Sequence, residues 1–153
     1  MSEVWIASAG DAGAVSTLLC EFRDWWGYGE PTDAEMLARV ERLIGSGEAE
    51  FLLAGTPDEP VAVCQLRYRY GVWLGALDCS LEDLFVRAGA RGRGVGRALA
   101  EAAVARAREL GCRRIELDAN EANSAARTLY EQLGFSAWVD SVGGRNLLMR
   151  KRL

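Results

Sequence analysis

The stretches LEDLFVRAGARGRGVGR (81–97) and NSAARTLYEQLGF (123–135) decide how this chain folds. In the first, LEDLFVRA (81–88) reads as a β-strand and residues 94–110 carry a helical pattern. That pattern puts Val95, Leu99, Ala102, Ala103 and Leu110 on one face, with Arg97, Glu101 and Arg108 opposite. Between strand and helix lies RGRGVG (91–96), three glycines spaced by two. Glycine lets the backbone curl tightly, and a helix N-terminus behind it adds aligned N–H groups and a partial positive charge. Arg87, Arg91, Arg93 and Arg97 surround the turn, so an anion such as a pyrophosphate fits it.

Outward from this centre the elements follow in order. RRIELDA (113–119) reads as a strand after a left-handed cap at Gly111. Asn123 caps a short helix with Ala126, Leu129, Tyr130 and Leu133 on one face; Gly134 ends it, and Phe135 folds back. AWV (137–139) and NLLMRKRL (146–153) read as a closing hairpin around VGG (142–144). On the N-terminal side, VWIASA (4–9) reads as a strand. Asp11 and Thr32 read as caps of two helices, carrying Val15, Leu18, Leu19 and Phe22, then Met36, Leu37, Val40, Leu43 and Ile44. FLLAG (51–55) and VAVCQLRYRY (61–70) read as hairpin strands. The order β-α-α-β-β-β-α-β-α-β-β predicts an α/β (α+β) domain spanning 1–153, a mixed sheet with helices on both faces.

Composition excludes several classes of function. The chain has 153 residues, one domain's worth, with 50% apolar and 26% charged residues, as a soluble globular protein has. No run of about 18 uncharged apolar residues is present, so no membrane helix is expected, and the N-terminus lacks the basic region of a secretory signal. There is no histidine at all. Ser-His-Asp and Cys-His catalysis and His-containing zinc sites are thereby excluded, and no metal is expected. A general base must be a carboxylate, tyrosine, cysteine, the single lysine or a terminus. Cys20, Cys64, Cys79 and Cys112 form no CxxC pair and are expected as buried free thiols in the cytoplasm. Residues 1–76 carry 5 basic and 12 acidic side chains, and 77–153 carry 13 and 10, giving a net charge of −4. A net acidic chain is a poor non-specific binder of nucleic acid.

The letters of the turn discriminate among phosphate-binding motifs. A P-loop needs GxxxxGK with Ser or Thr, and no lysine lies near the turn. A dinucleotide fingerprint needs Gly or Ala where Arg97 stands, and it follows a first strand rather than a late one. Arg-x-x-Gly-x-Gly after LEDLFV and before an Ala-rich helix resembles the GNAT superfamily of acyl-CoA-dependent N-acetyltransferases. NSAARTLYEQLGF (123–135) resembles that family's next motif, separated by the strand the family requires. The resemblance covers about residues 80–135 closely and the first seventy more loosely.

The resemblance implies a mostly antiparallel central sheet of about six or seven strands, with a V-shaped split between the two central strands. It implies acetyl-CoA as co-substrate. The pyrophosphate then sits on Gly92, Arg93, Gly94, Val95, Gly96 and Arg97, with Arg91 opening the motif. The pantetheine arm pairs with Leu84, Phe85 and Val86, and Asn123 contacts that arm or the split. Tyr130 matches the tyrosine that protonates the leaving thiolate; its other reading is a core aromatic. Of Glu82 and Asp83, which strand alternation sends to opposite faces, Glu82 is chosen as the base, with Asp83 at the acceptor site. A water chain without a dedicated carboxylate stays open.

The acceptor pocket is expected from the N-terminal half. WWGY (25–28) supplies Trp25, Trp26 and Tyr28 as cation-binding faces, and Glu21, Asp24, Glu30, Asp33 and Glu35 lie near in sequence. Trp73, in the turn before LEDLFV, is a further candidate, and packing alone would also explain these tryptophans. A small cationic amine is therefore the expected acceptor, with a protein N-terminus or lysine as the alternative. A non-catalytic acyl-CoA-binding sensor or partner-binding module, and an RNA-binding domain using the arginines at 87–97, are the rivals from other classes. No nucleic-acid or membrane partner is expected. The family resemblance further implies a homodimer, paired through exposed C-terminal strands such as NLLMRKRL (146–153).

Overall fold

The computed structural model describes residues 2–153. It divides into two compact units, Met1–Glu116 and Leu117–Leu153. In the first, strands β1 (Glu3–Ile6), β2 (Glu50–Gly55), β3 (Pro60–Gly71), β4 (Ala76–Val86) and β5 (Arg114–Leu117) lie side by side in chain order. The pairs β1·β2, β2·β3 and β3·β4 are antiparallel. Helices α1 (Ala12–Trp26) and α2 (Asp33–Ser46) precede β2, and α3 (Val95–Glu109) links β4 to β5. The second unit holds α4 (Ser124–Gln132) and the small antiparallel pair β6 (Trp138–Val139) and β7 (Gly144–Arg145).

Seven strands are thus present among the described residues, divided as a sheet of five and a separate pair of two. The strand expected over NLLMRKRL is not formed: β7 ends at Arg145, and residues 146–153 carry no regular structure. Leu147, Leu148 and Met149 are exposed, so no apolar face fixes a register there.

Strand alternation builds two cores. Phe51 and Leu53 of β2, Val63 of β3 and Phe85 of β4 share one face with Val15, Leu18 and Leu19 of α1 and Val40 of α2. Leu52, Cys64, Leu66 and Leu81 take the other face, on the side of α3 with its buried Leu99, Ala100 and Ala103. Helices therefore lie on both faces of the sheet.

The helix caps are local. Thr32 accepts from the Glu35 amide, and Glu35 accepts in return from the Thr32 amide at 2.8 Å. Gly111, at φ +78, follows the last turn of α3, and Phe135 packs edge-on against Tyr130 at 5.9 Å. Asp11 is the N-cap residue of α1, as expected, but its side chain makes no cap bond to that helix. Its carboxylate accepts from the Ser8 amide and hydroxyl, stabilising a short 3-10 turn at Ala9–Asp11 ahead of α1. All four cysteines are free; Cys112 is only half-buried, whereas burial pushes the Cys79 thiol up to about 12.

A charged tie joins α3 to the sheet. Glu50 accepts two bonds from Arg106, at 2.9 and 2.7 Å, and one from the Tyr68 hydroxyl at 3.0 Å. These donors hold the Glu50 carboxyl below the usual carboxylate range. A depressed folded-state pKa adds stability above the unfolded value and loses it as pH falls through the folded one. Glu50→Gln is accordingly expected to lower Tm by several degrees at neutral pH, for a loss of about 1–2 kcal/mol. The gap should narrow only in acid, as pH falls below the usual carboxylate range and through the depressed Glu50 pKa, where the wild-type side chain protonates as well. Melting curves across pH check it, and a gap unchanged in acid would refute the ionic origin.

Candidate active site

The glycine-rich turn has the geometry of an anion cradle. Gly92 and Gly94 sit at φ +73 and +79, where a side chain strains the backbone, and Gly94 is the N-cap of α3. Gly96 lies inside the first turn of α3 and needs no such freedom. No acid occupies that first turn, so nothing opposes an anion there. Arg93 makes no ion pair among the described residues, and Arg97 lies 3.8 Å from Glu101.

The other two arginines of the sequence pattern are committed elsewhere. Arg87 forms a two-pronged pair with Glu21 of α1, at 2.9 and 2.7 Å, and cannot add free charge to the turn. Arg91 opens the turn, but its Nε donates to the Val86 carbonyl at 2.8 Å.

The central strand β4 outruns its neighbour. The Arg113 amide donates to Leu77, and Arg114 pairs with Asp78, which places the start of β5 beside the start of β4. Four residues of β5 cannot follow eleven of β4 at about 3.3 Å each. The segment Leu84–Val86 therefore runs past the end of β5.

A bulge breaks the expected alternation of the two acids. Gln65 pairs with Asp83 and Leu66 with Leu81, so Glu82 is the extra residue of β4. Glu82 and Asp83 are not sent to opposite faces: both stand opposite Gln65. The Glu82 Oε2 accepts from Gln65 Nε2 and Arg67 Nε, each at 3.1 Å, whereas Oε1 accepts nothing among the described residues. Glu82 is exposed and Gln65 buried, so a carboxylate oxygen is presented from a fixed platform. The sequence reading missed Gln65 and Arg67. A lone amide inside the apolar run VAVCQL was the available signal.

The aromatic segment differs from the turn expected of it. Trp25 and Trp26 form the last turn of α1, ended by Gly27 at φ +76. Trp26 and Tyr28 stack at 6.3 Å and are 41% and 63% exposed. Most of the nearby acids are used internally. Glu21 pairs with Arg87; Asp24 and Asp33 pair with Arg23; Glu35 caps α2. Arg23 also donates to the Pro31 carbonyl at 2.6 Å and so pins the α1–α2 loop, a role the sequence reading missed. Glu30 alone of the five keeps an uncommitted carboxylate among the described residues. Trp73 is fully exposed in the turn between β3 and β4.

In the second unit, Asn123 caps α4, its Oδ1 accepting from the Ala126 amide at 3.2 Å. Tyr130 is buried on the same helix, against Phe135. Among the described residues no cluster of three or more acids, cysteines or histidines suits a metal ion, and no helix is long and apolar enough to cross a membrane.

Known proteins resemble this chain over its whole length. The sequence model of the Acetyltransferase (GNAT) family matches residues 15–135. A thialysine N-epsilon-acetyltransferase of Bos taurus is 27% identical over 149 residues, covering 90% of this chain and 85% of that protein. A solved structure from Arthrobacter sp. FB24 is 29% identical with a TM-score of 0.86, covering 99% of this chain and 95% of that one. The aminoglycoside N-acetyltransferase AAC(6')-Iy, solved in complex with CoA, shares the fold at a TM-score of 0.77 and 21% identity, covering 100% and 96%.

Proposed function

Because this chain belongs to the GNAT family of acetyl-CoA-dependent N-acetyltransferases, we propose that it acetylates the primary amine of a small cationic acceptor. Attack is direct, in a ternary complex. The observation that carries the reading is the bulge, which lifts Glu82 out of the strand ladder and leaves its Oε1 free beside the Gln65–Arg67 platform.

Acetyl-CoA supplies the activated acetyl group. Gly92 to Arg97 hold its pyrophosphate through backbone N–H groups, a reading supported by the positive φ values of Gly92 and Gly94 and the acid-free start of α3. The edge of Leu84, Phe85 and Val86 beyond the end of β5, where Arg91 holds the Val86 carbonyl, pairs with the pantetheine arm through its remaining backbone groups as an added strand would, and an N–H there polarises the thioester carbonyl. Asn123 contacts the same arm.

The acceptor reaches the site as an ammonium. With a pKa near 10, about one molecule in 10³ is the free base at neutral pH. Glu82 Oε1 takes that proton, directly or through water, and the amine nitrogen attacks the thioester carbon. The C–N bond forms, the C–S bond breaks, Tyr130 protonates the departing thiolate, and the second proton that the nitrogen sheds returns to Tyr130 through water. Asp83, Trp25, Trp26 and Tyr28 receive the acceptor, with Glu30 supplying the uncommitted negative charge. A thialysine acetyltransferase among the relatives fits an acceptor carrying its amine on an alkyl chain.

Melting curves with acetyl-CoA test the first half of this reading. At about 100 times its Kd the ligand adds about 2.7 kcal/mol, roughly 5–10 °C for a chain of this size. ATP, NADH and a short RNA should shift nothing. A screen of thiol release then tests the second half: alkylammonium acceptors should exceed neutral amines in kcat/KM. A preference for neutral or acidic amines would refute the cationic acceptor.

A further inference from the structure

Arg91 belongs to the glycine-rich turn by sequence, yet its side chain leaves it. Its guanidinium carbon lies 5.6 Å from the centre of the Trp25 ring and 5.7 Å from that of Phe85. Phe85 stacks on Phe22 at 5.2 Å, and Phe22 lies 6.1 Å from both Trp25 and Trp26. The Nε bond to the Val86 carbonyl fixes the guanidinium in this position. No carboxylate pairs with Arg91 among the described residues, so its remaining N–H donors are uncommitted. A planar cation over aromatic faces is held by the ring quadrupoles and keeps its edge available for an anion.

We propose that Arg91 is a positioning residue that couples occupancy of the phosphate-binding turn to the aromatic surface at the end of α1. The inference rests on the reading of 91–97 as the acetyl-CoA turn. The main chain of Arg91 enters the turn that receives the pyrophosphate, and its side chain is the plate against which Trp25 lies. An anion on the turn acts on the same residue whose guanidinium holds Trp25, through its main chain and its uncommitted N–H donors. Linkage makes the effect reciprocal: a change at Trp25 must alter the affinity for acetyl-CoA, although Trp25 is no phosphate ligand.

A double-mutant cycle read by calorimetric titration with acetyl-CoA tests this. Trp25→Leu is expected to weaken acetyl-CoA about fivefold, the change that about 1 kcal/mol of cation–π attraction produces. Trp25→Phe, which keeps an aromatic face, should stay within about twofold. In an Arg91→Leu background, Trp25→Leu should add nothing. Arg91→Lys keeps the charge but not the planar stack, and it should likewise abolish the Trp25 effect, so the test survives if one leucine variant fails to fold. Melting curves of each variant separate loss of coupling from loss of structure. Additive losses at the two positions, with normal wild-type binding, would overturn the coupling alone. A wild-type protein that does not bind acetyl-CoA would overturn the reading of the turn together with it.

Discussion

Glu82→Gln is expected to lower kcat by about 10²-fold or more at neutral pH, within the usual range for loss of a positioned base. The substitution keeps the shape of the side chain at the bulge and removes its capacity to take a proton, together with the charge that faces Arg67. The affinity for acetyl-CoA should be unchanged, because Glu82 lies outside the phosphate turn and the pantetheine edge. The pH dependence is the sharper test. As pH rises toward the amine pKa of about 10, the acceptor arrives already deprotonated and the need for a base disappears. The deficit of Glu82→Gln should therefore shrink steadily with rising pH. Steady-state rates from pH 6 to 10 would show this. A deficit below about threefold at every pH would assign deprotonation to a water chain instead. The partner positions separate geometry from chemistry: Gln65→Leu removes one of the two bonds to Oε2 and leaves the carboxylate, so it should cost much less.

Phe51→Ala is expected to lower stability by about 3–5 kcal/mol, a fall in Tm on the order of 10 °C. Phe51 is 1% exposed in the middle of β2 and sits in the cluster shared by α1, α2 and the sheet. Truncation removes the ring's buried area and leaves a cavity that three packed elements cannot close. Trp73→Ala provides the contrast. Trp73 is larger but 96% exposed, so its loss should change stability by less than about 0.5 kcal/mol. Urea unfolding of both variants at constant m-value measures the difference. Equal effects would contradict the burial of Phe51.

The N-terminal charge argument shows where reading along the chain stops. Five acids lie between residues 21 and 35, and counted in sequence they form an acidic field. Folded, four of them are engaged by Arg87, Arg23 and the cap of α2, and the field reduces to Glu30. Glu21 and Arg87 are joined by no local pattern; they meet because α1 crosses the end of β4. The same holds for Glu50 and Arg106.

What the sequence determined by itself is local or periodic. The caps at Thr32 and Asn123, the left-handed glycines after α3 and α4, the amphipathic helices and the glycine-rich turn each depend on neighbours within a few residues. Interactions of that range recur with the same letters in any fold, and they were legible. So was the family, carried by two motifs in fixed order. Only the tertiary structure decided the bulge that makes Glu82 the unpaired residue of β4, the stacking of Arg91 on Trp25 and Phe85, and the internal use of the acids around α1. It also decided that residues 146–153 stay out of a sheet. Strand register and cross-element ion pairs are set by packing between distant segments. The alternation of a single strand carries no information about where its partner inserts one residue fewer.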